Sequence, residues 1–233
     1  MSKSIAVLGA GPGLGQAVAH RYAREGYAVA LVARRQEPLD QLAAQLTGAG
    51  ARAHVIVADL ADTGAVPELA GRIRAAVGDP DVLYYGASAN GFIPVLELTP
   101  RHALDLLPLG LSTLLALTGE FLPAMLTRGS GAILSAQGAS AVHGNPHIAG
   151  GVILAAQRNY LQALHAAVAG RGVFVGGLYI GAAIEHTPFH ARLRAAEAAG
   201  EPVPGIPSVD PAHLADLLWS MPDTAGQPEL TYP

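Results

Sequence analysis

A glycine-rich turn close to the amino terminus constrains the fold of this chain more than any other feature. A short apolar run at 5–8 leads directly into Gly9-Ala10-Gly11-Pro12-Gly13-Leu14-Gly15, and helix-forming residues follow. Glycine permits positive φ and a close approach of the backbone to a ligand, and helix N-terminal amides attract negative charge. Such turns also serve tight packing of a strand on a helix, but the strand before and the helix after are the context that dinucleotide binding requires. The turn therefore predicts a pyrophosphate site, with contacts from Gly9, Gly11, Gly13, Leu14 and Gly15.

Apolar runs and helical stretches alternate along the rest of the chain. Strands are predicted at 5–8, 27–33, 51–58, 82–85, 132–135 and 173–180, and helices at 15–25, 38–46, 66–77, 100–128 and 151–169. Strands joined by helices at this spacing pair in parallel through right-handed crossovers. A hydrophobic content of 51% and a charged content of 14% are typical of strands that helices cover on both faces. The chain is therefore predicted to be α/β, a doubly wound parallel sheet (Rossmann fold) in three αβα layers, with a single domain over 1–233.

Charge and composition limit the partners. The net charge is −4 and no basic run is longer than Arg34-Arg35, so the sequence lacks the electrostatic footprint expected for nucleic acid or an anionic membrane. The apolar stretch 103–125 contains two acidic residues and two prolines, and it is predicted to be a buried helix, not a membrane span. There are no cysteines, which excludes disulfides, thiolate metal sites and a cysteine nucleophile, and which suits a cytoplasmic location.

The residues after the second predicted strand favour NADP(H) over NAD(H). An enzyme that prefers NAD presents an acidic side chain there to the ribose 2′-hydroxyl. This chain instead has Ala33 followed by Arg34 and Arg35. A guanidinium at this place can pair bidentately with a 2′-phosphate, although a solvated arginine pair at a strand end is the alternative. We therefore predict NADP(H) as the cofactor, with Arg34 and Arg35 among its contacts.

The spacing Gly9-x-x-x-Gly13-x-Gly15 resembles the loop of the short-chain dehydrogenase/reductase family, and the resemblance covers the full length of the chain. Asp59-Leu60 is similar to the acidic and apolar pair with which the family contacts adenine. The family's Asn-Asn-Ala-Gly motif reads Tyr85-Gly86-Ala87-Ser88 here, and a glycine follows the sixth predicted strand as in the family. The resemblance implies further cofactor contacts at Asp59, Leu60, Ala87, Ser88, Ile180 and Gly181.

The same resemblance implies a catalytic tetrad that this chain does not carry. Family members use an Asn, a Ser, a Tyr and a Lys, and the Tyr and Lys stand four apart so that both face the cofactor from one helix. No Tyr-x-x-x-Lys occurs, and the only lysine is Lys3. Aligned on the catalytic helix, the tetrad positions are held by Pro108, Gly138, Gly150 and Leu154. An alignment shifted by one residue gives Gly151 and Ala155, which changes nothing. The chain looks closest to an atypical bacterial branch that already lacks the Tyr.

Other residues could transfer protons in place of the tetrad, and no catalytic residue is assigned. The candidates are Ser140, His143, His147, Tyr179 and His186. His186 and His190 are also spaced for one helix face. Glu185 precedes His186, but the sequence does not place a carboxylate at a common site with His143, His147, His186 and His190, so ordinary loop histidines are favoured over a metal site.

The segment 185–207 is predicted to form a lid over a small, apolar ligand, because ligands of doubly wound sheets bind beyond the carboxyl ends of the strands. Three functions stay open: an NADP(H)-dependent oxidoreductase with weak or altered activity, a nucleotide-binding pseudoenzyme or regulatory module, and a cofactor-free biosynthetic enzyme. Oxidation of NADPH by a carbonyl compound separates the first function from the other two. The apolar helices at 100–128 and 151–169 predict a homodimer or homotetramer.

Overall fold

The computed structural model describes residues 3–87, 92–203, 205–223 and 227–233. The strands are β1 (Ser4–Leu8), β2 (Ala28–Ala33), β3 (Ala53–Val57), β4 (Val82–Tyr85), β5 (Gly131–Gly138), β6 (Val173–Ile180), β7 (Ala183–Ile184), β8 (Ser208–Val209) and β9 (Glu229–Tyr232). The helices are α1 (Leu14–Arg24), α2 (Gln36–Gly48), α3 (Val66–Val77), α4 (Pro100–Leu107), α5 (Thr113–Arg128), α6 (Gly151–Ala167), α7 (Pro188–Ala198) and α8 (Pro211–Ser220). A π turn, Pro108–Ser112, joins α4 to α5.

Seven of these strands form one parallel sheet in the order β3-β2-β1-β4-β5-β6-β9. Leu8 at the end of β1 is in register with Val32 on one side and with Tyr85 on the other. The order of strands reverses between β1 and β4, and a crevice opens at such a point beyond the carboxyl ends of the strands. The predicted α/β, doubly wound, single-domain fold is confirmed.

Two apolar layers cover the faces of the sheet. One side chain in two along each strand points to each face, so β1 contributes Ile5 and Val7 to one layer and Ala6 and Leu8 to the other. The first layer packs on α1, α2 and α8, and the second packs on α3, α5 and α6. Because both faces are covered, all five residues of β1 are buried, which explains its continuous apolar sequence.

The predicted helix 100–128 forms, with a π turn between α4 and α5. The π turn begins at Pro108, which lacks the backbone N–H that a regular helix uses and obstructs the preceding turn. Gly110 within the turn lies close to α6, since a Cβ there would lie 2.5 Å from Ile153 Cγ2. The predicted helix is therefore present over its full range, but it is not a regular α-helix throughout.

The stretch Pro100–Arg128 is long and apolar enough to cross a membrane by length and composition alone. In the fold, α5 packs against the second apolar layer and buries Leu114, Leu117, Phe121 and Met125. That placement is the one expected of a core helix in an α/β domain.

The segment after β6 forms a separate small unit above the crevice. The strands β7 and β8 pair in parallel, and α7 lies between them in the chain. Thr187 caps α7 by accepting a hydrogen bond from the amide of His190 at 3.1 Å, and Pro188 occupies the first turn. None of the residues of α7 is fully buried.

Candidate cofactor and ligand site

The glycine turn lies at the carboxyl edge of the sheet, where β1, β2 and β4 end side by side. The amides of Gly9 and Ala10 both donate to the carbonyl of Val32, at 2.9 and 3.0 Å. The amide of Gly86 donates to the carbonyl of Leu8 at 2.9 Å. These bonds fix the turn to the neighbouring strand ends and leave its outer side facing the crevice.

Close packing of the turn explains why glycines occupy it. Gly9 has φ +98°, and a Cβ on it would lie 2.9 Å from the amide nitrogen of Ala87. A Cβ on Gly15 would lie 2.1 Å from the carbonyl oxygen of Gly9, so the start of α1 could not approach the turn as it does. Gly11 has no atom within 4 Å of the place of a Cβ, so it borders open space.

The helix α1 begins at Leu14, three positions after the open Gly11. Gly13 precedes the helix, no side chain caps it, and no acidic residue stands in its first turn. Leu14 is buried and anchors the first turn in the core. An uncapped helix N-terminus beside an open glycine is suited to a pyrophosphate.

Arg34 and Arg35 stand between the end of β2 and the start of α2. Both side chains are exposed, and neither forms an ion pair with any residue in the described ranges. Because β2 is next to β1 in the sheet, the two guanidinium groups flank the same edge as the glycine turn.

The other predicted cofactor contacts lie along the same edge. Asp59 is exposed beyond β3 and accepts a hydrogen bond from the amide of Ala61 at 3.0 Å, and Leu60 is buried. Ala87 follows β4 beside Gly9. Ile180 ends β6, and Gly181 donates its amide to the carbonyl of Tyr232 at 2.8 Å. Ser88 lies outside the described residues.

The four positions aligned with the tetrad bring no titratable side chain to the crevice. Pro108 begins the π turn, and Gly138 ends β5, where the nearest atom to a Cβ would be Ser140 Oγ at 3.5 Å. Gly150 is the N-cap of α6, and Leu154 is half-buried in its first turn. At the shifted position, a Cβ on Gly151 would lie 2.6 Å from the carbonyl oxygen of Ser140, so this backbone has no room for a tyrosine there.

A buried amide cluster occupies the space between β5, α6 and the π turn. Ser135 Oγ donates to Gln157 Oε1 at 2.8 Å, Gln137 Nε2 also donates to that oxygen, and Gln157 Nε2 donates to the carbonyl of Gly110. Gln137 Oε1 is buried without a partner among the described residues. This cluster was not predicted from the sequence. Paired polar residues on β5 were its only sequence signal.

The hydroxyls of Tyr84, Tyr85 and Tyr179 are buried or hydrogen-bonded. Tyr85 donates to the carbonyl of Leu109 at 2.7 Å, and Tyr84 is completely buried in the opposite layer. Burial raises the pKa of both phenols. Tyr179, a predicted proton-transfer candidate, donates to Glu229 at 3.3 Å. Burial and the Glu229 carboxylate raise its pKa, although Arg158 opposes this.

The histidine candidates do not converge. His143 and His147 are exposed in the loop after β5. His186 is exposed with φ 64° and precedes α7, whereas His190 is inside the helix and contacts Ser208 Oγ at 3.1 Å. The prediction that both share a helix face is wrong, because Thr187 caps the helix and Pro188 starts it. Within the described residues, no group of three or more His, Cys, Asp or Glu could hold a metal ion.

A cavity of about 500 Å³ opens beneath α7. It is lined by Phe92, Phe189, Arg192, Leu193, Ala196, Pro202 and Val203. The rings of Phe92 and Phe189 stack with their centroids 5.1 Å apart and their planes 16° apart. The residue before α7 adjoins the glycine turn, since a Cβ on Gly13 would lie 2.5 Å from Thr187 Cγ2.

Comparisons with known proteins point to one family. The family model for short chain dehydrogenases matches residues 3–197. The chain is 32% identical over 129 residues to an uncharacterized oxidoreductase of Mycobacterium tuberculosis, a match that covers 55% of this chain and 49% of that relative. It therefore spans only about half the length of that relative. Over 226 residues it is 30% identical to the 1-deoxy-11-beta-hydroxypentalenate dehydrogenase of Streptomyces exfoliatus, covering 94% of this chain and 78% of the relative.

Solved structures share the fold. One is the NADPH-bound short chain oxidoreductase of Pseudomonas aeruginosa, which contains an atypical catalytic center. It aligns with a TM-score of 0.84 at 22% sequence identity, and the alignment covers 100% of this chain and 97% of that chain. Several other similar structures also hold NADP or NADPH, whereas the name of one further relative specifies NAD⁺.

Proposed function

This chain belongs to the short-chain dehydrogenase family, and on that premise we propose that it binds NADP(H) at the glycine turn and an apolar small molecule beneath α7. We further propose that it does not reduce carbonyl compounds by a tyrosine and lysine proton relay. Any redox activity is then weak or depends on other groups. NADPH, when bound, supplies a hydride, and the residues of the chain provide binding and orientation.

Three features of the crevice support NADP(H). The turn at Gly11 is open, the N-terminus of α1 is uncapped, and Arg34 and Arg35 have no ion-pair partner among the described residues. The first two suit a pyrophosphate and the third suits a 2′-phosphate. The NADP(H) bound in similar structures supports the same choice.

The position of Lys3 is the observation that carries the proposal on catalysis. It is the only lysine of the chain, and it precedes the amino end of β1. Its Nζ lies 5.8 Å from the ring centroid of Tyr27. The cofactor turn follows the carboxyl end of the same strand, so Lys3 and the crevice lie at opposite edges of the sheet. No lysine is therefore available to hold a nicotinamide ribose or to lower the pKa of a phenol.

The lack of a phenol in the crevice supports the same conclusion. All seven tyrosines lie within the described ranges. Tyr22 and Tyr27 pack with Trp219, Tyr84 and Tyr85 are buried, Tyr160 packs on the second layer, Tyr179 contacts Glu229, and Tyr232 packs on His213. General acid catalysis contributes about 10²- to 10⁴-fold in rate, so a hydride donor alone turns over slowly.

Paired arginine substitutions test the cofactor. In a calorimetric titration, the variant Arg34→Ala/Arg35→Ala should bind NADPH about tenfold or more weakly and bind NADH with little change. The reason is that charge-assisted bonds contribute about 1.5 to 3 kcal/mol. The matched control Arg24→Ala/Arg171→Ala removes the same charge from exposed sites at the other edge of the sheet. Equal losses for NADPH and NADH, or equal losses in both variants, would contradict the assignment.

A homodimer or homotetramer is part of the proposal. Leu104 on α4, Leu115 on α5 and Val152 on α6 are 61%, 40% and 53% exposed, so these helices present apolar side chains to solvent. Covering them by a second copy would remove that surface from water. Light scattering at micromolar concentration should give a multiple of 23.8 kDa, and a monomer would refute this part. A cytoplasmic location stays a prediction from composition.

A further inference from the structure

The helix α7 presents one face to the cavity beneath it. Phe189, Arg192, Leu193 and Ala196 follow one another at helical spacing and all line the cavity. The remaining lining residues are the apolar Phe92, Pro202 and Val203. The cavity wall is therefore apolar with a single guanidinium in it.

The apolar face of α7 lies over open space and not over a packed core. No residue of the helix is fully buried, and Phe92, which stacks on Phe189, is 52% exposed. An apolar ligand in the cavity would cover these side chains. Flat rings stack well on this aromatic pair, since offset parallel rings attract each other beyond simple burial.

Arg192 differs from its neighbour Arg194 in its charge environment. Arg194 forms an ion pair with Glu197 on the outer side of the helix. Arg192 has no ion-pair partner among the described residues, and no acidic residue lines the cavity with it. The two arginines are two positions apart, which places them on opposite sides of α7. Arg192 therefore places an exposed, unpaired positive charge at the wall of the cavity.

We propose that this cavity selects a ligand with a flat apolar body and a carboxylate, the body against Phe189 and Leu193 and the carboxylate paired with Arg192. This inference rests on the proposed function, since it names the class of small molecule bound beneath α7 next to the glycine turn. A guanidinium fork matches the two oxygens of a carboxylate. A phosphate dianion needs further donors, and no other lining side chain donates a hydrogen bond.

Calorimetric titration with 2-naphthoate and its uncharged analogue 2-naphthalenemethanol tests the inference. The full-length protein should bind the acid more tightly than the alcohol. The variant Arg192→Gln should weaken binding of the acid by about three- to tenfold and leave binding of the alcohol unchanged. This range lies between the contribution of an exposed ion pair and that of a charge-assisted hydrogen bond. Arg194→Gln removes the same charge from the same helix and should leave both affinities unchanged. Raising the NaCl concentration from about 50 mM to about 500 mM should weaken binding of the acid only.

Other outcomes overturn the inference. Equal affinity for acid and alcohol, or equal losses in the Arg192 and Arg194 variants, would remove Arg192 from the site. Tighter binding of 2-naphthyl phosphate than of 2-naphthoate would replace the carboxylate by a phosphate. The variant Leu193→Ser should weaken acid and alcohol alike, and no effect would place the ligand elsewhere.

NADPH titrated in the same samples separates this inference from the proposed function. Retained NADPH binding without binding of 2-naphthoate would refute only the inference. Binding of 2-naphthoate that depends on Arg192, without any binding of NADPH, would refute the proposed cofactor and leave the cavity assignment intact. Thermal unfolding of each variant checks that the substitutions on α7 leave the fold unchanged.

Discussion

Truncation of Gln157 should destabilise the protein strongly, although the residue carries no charge. Its side chain is 1% exposed and joins three elements, β5 through Ser135 and Gln137, the π turn through Gly110, and α6 on which it lies. The variant Gln157→Ala removes every one of these bonds at once. The π turn then loses its side-chain link to α6.

The magnitude follows from the groups left behind. The Ser135 hydroxyl loses its acceptor and the Gly110 carbonyl loses a donor, and each unsatisfied buried group costs about 1 to 3 kcal/mol. Gln137 can still donate to Ser135 Oγ at 3.3 Å, so it is only partly unpaired. The removed side-chain volume adds a cavity cost, and the expected loss in the free energy of unfolding is about 3 to 5 kcal/mol.

Urea unfolding followed by circular dichroism measures this loss. Gln157→Met keeps much of the volume and removes the hydrogen bonds, so it isolates the polar part and should lose about 2 to 4 kcal/mol. Asn159→Ala is the matched control, because Asn159 is exposed on the same helix and its substitution should change stability by less than about 0.5 kcal/mol. A loss below about 1 kcal/mol for Gln157→Ala would show that the cluster does not hold the π turn.

Two further predictions concern the reaction and alkaline pH. Oxidation of NADPH with a panel of ketones, aldehydes and quinones should stay near the background rate. The triple variant Gly138→Ser/Gly150→Tyr/Leu154→Lys should raise this rate. Fast turnover by the unmodified protein would refute the proposed lack of a proton relay. Burial raises the pKa of Tyr84 and Tyr85 in the folded state. Their contribution to the free energy of unfolding is therefore complete below the unfolded pKa of about 10 and is lost as the pH rises above it. The loss is up to about 1.4 kcal/mol per pH unit for each phenol. Urea unfolding at pH 9 and pH 11 checks the second prediction, and equal stabilities would contradict it.

Much of the fold could be predicted because its signals are local. The bounds of α3, β4 and β6 agree with the predicted ranges, since each is a clear apolar or amphipathic run between turn residues. The strands β7, β8 and β9 were not predicted. Two of them have only two residues, and β9 is assigned by its pairing with β6, which no local pattern reveals.

In the candidate site too, the parts with local sequence signals could be predicted and the parts formed by distant contacts could not. The glycine turn could be identified because positive φ and close approach at Gly9 are local demands on the backbone. The amide cluster could not, because it joins Ser135 to Gln157 and Gln157 to Gly110 across 22 and 47 positions of sequence. His186 lies outside the helix for a local reason, because α7 starts at Thr187-Pro188.

The sequence by itself determined the order of strands and helices, the glycine turn, and the lack of a second lysine, because composition and short-range geometry do not depend on distant contacts. Only the tertiary structure decided which residues meet. It engaged Tyr179 with Glu229 and formed a cavity from Phe92 and α7. These arrangements follow from parallel pairing and layer packing, which bring together side chains that are far apart in the chain.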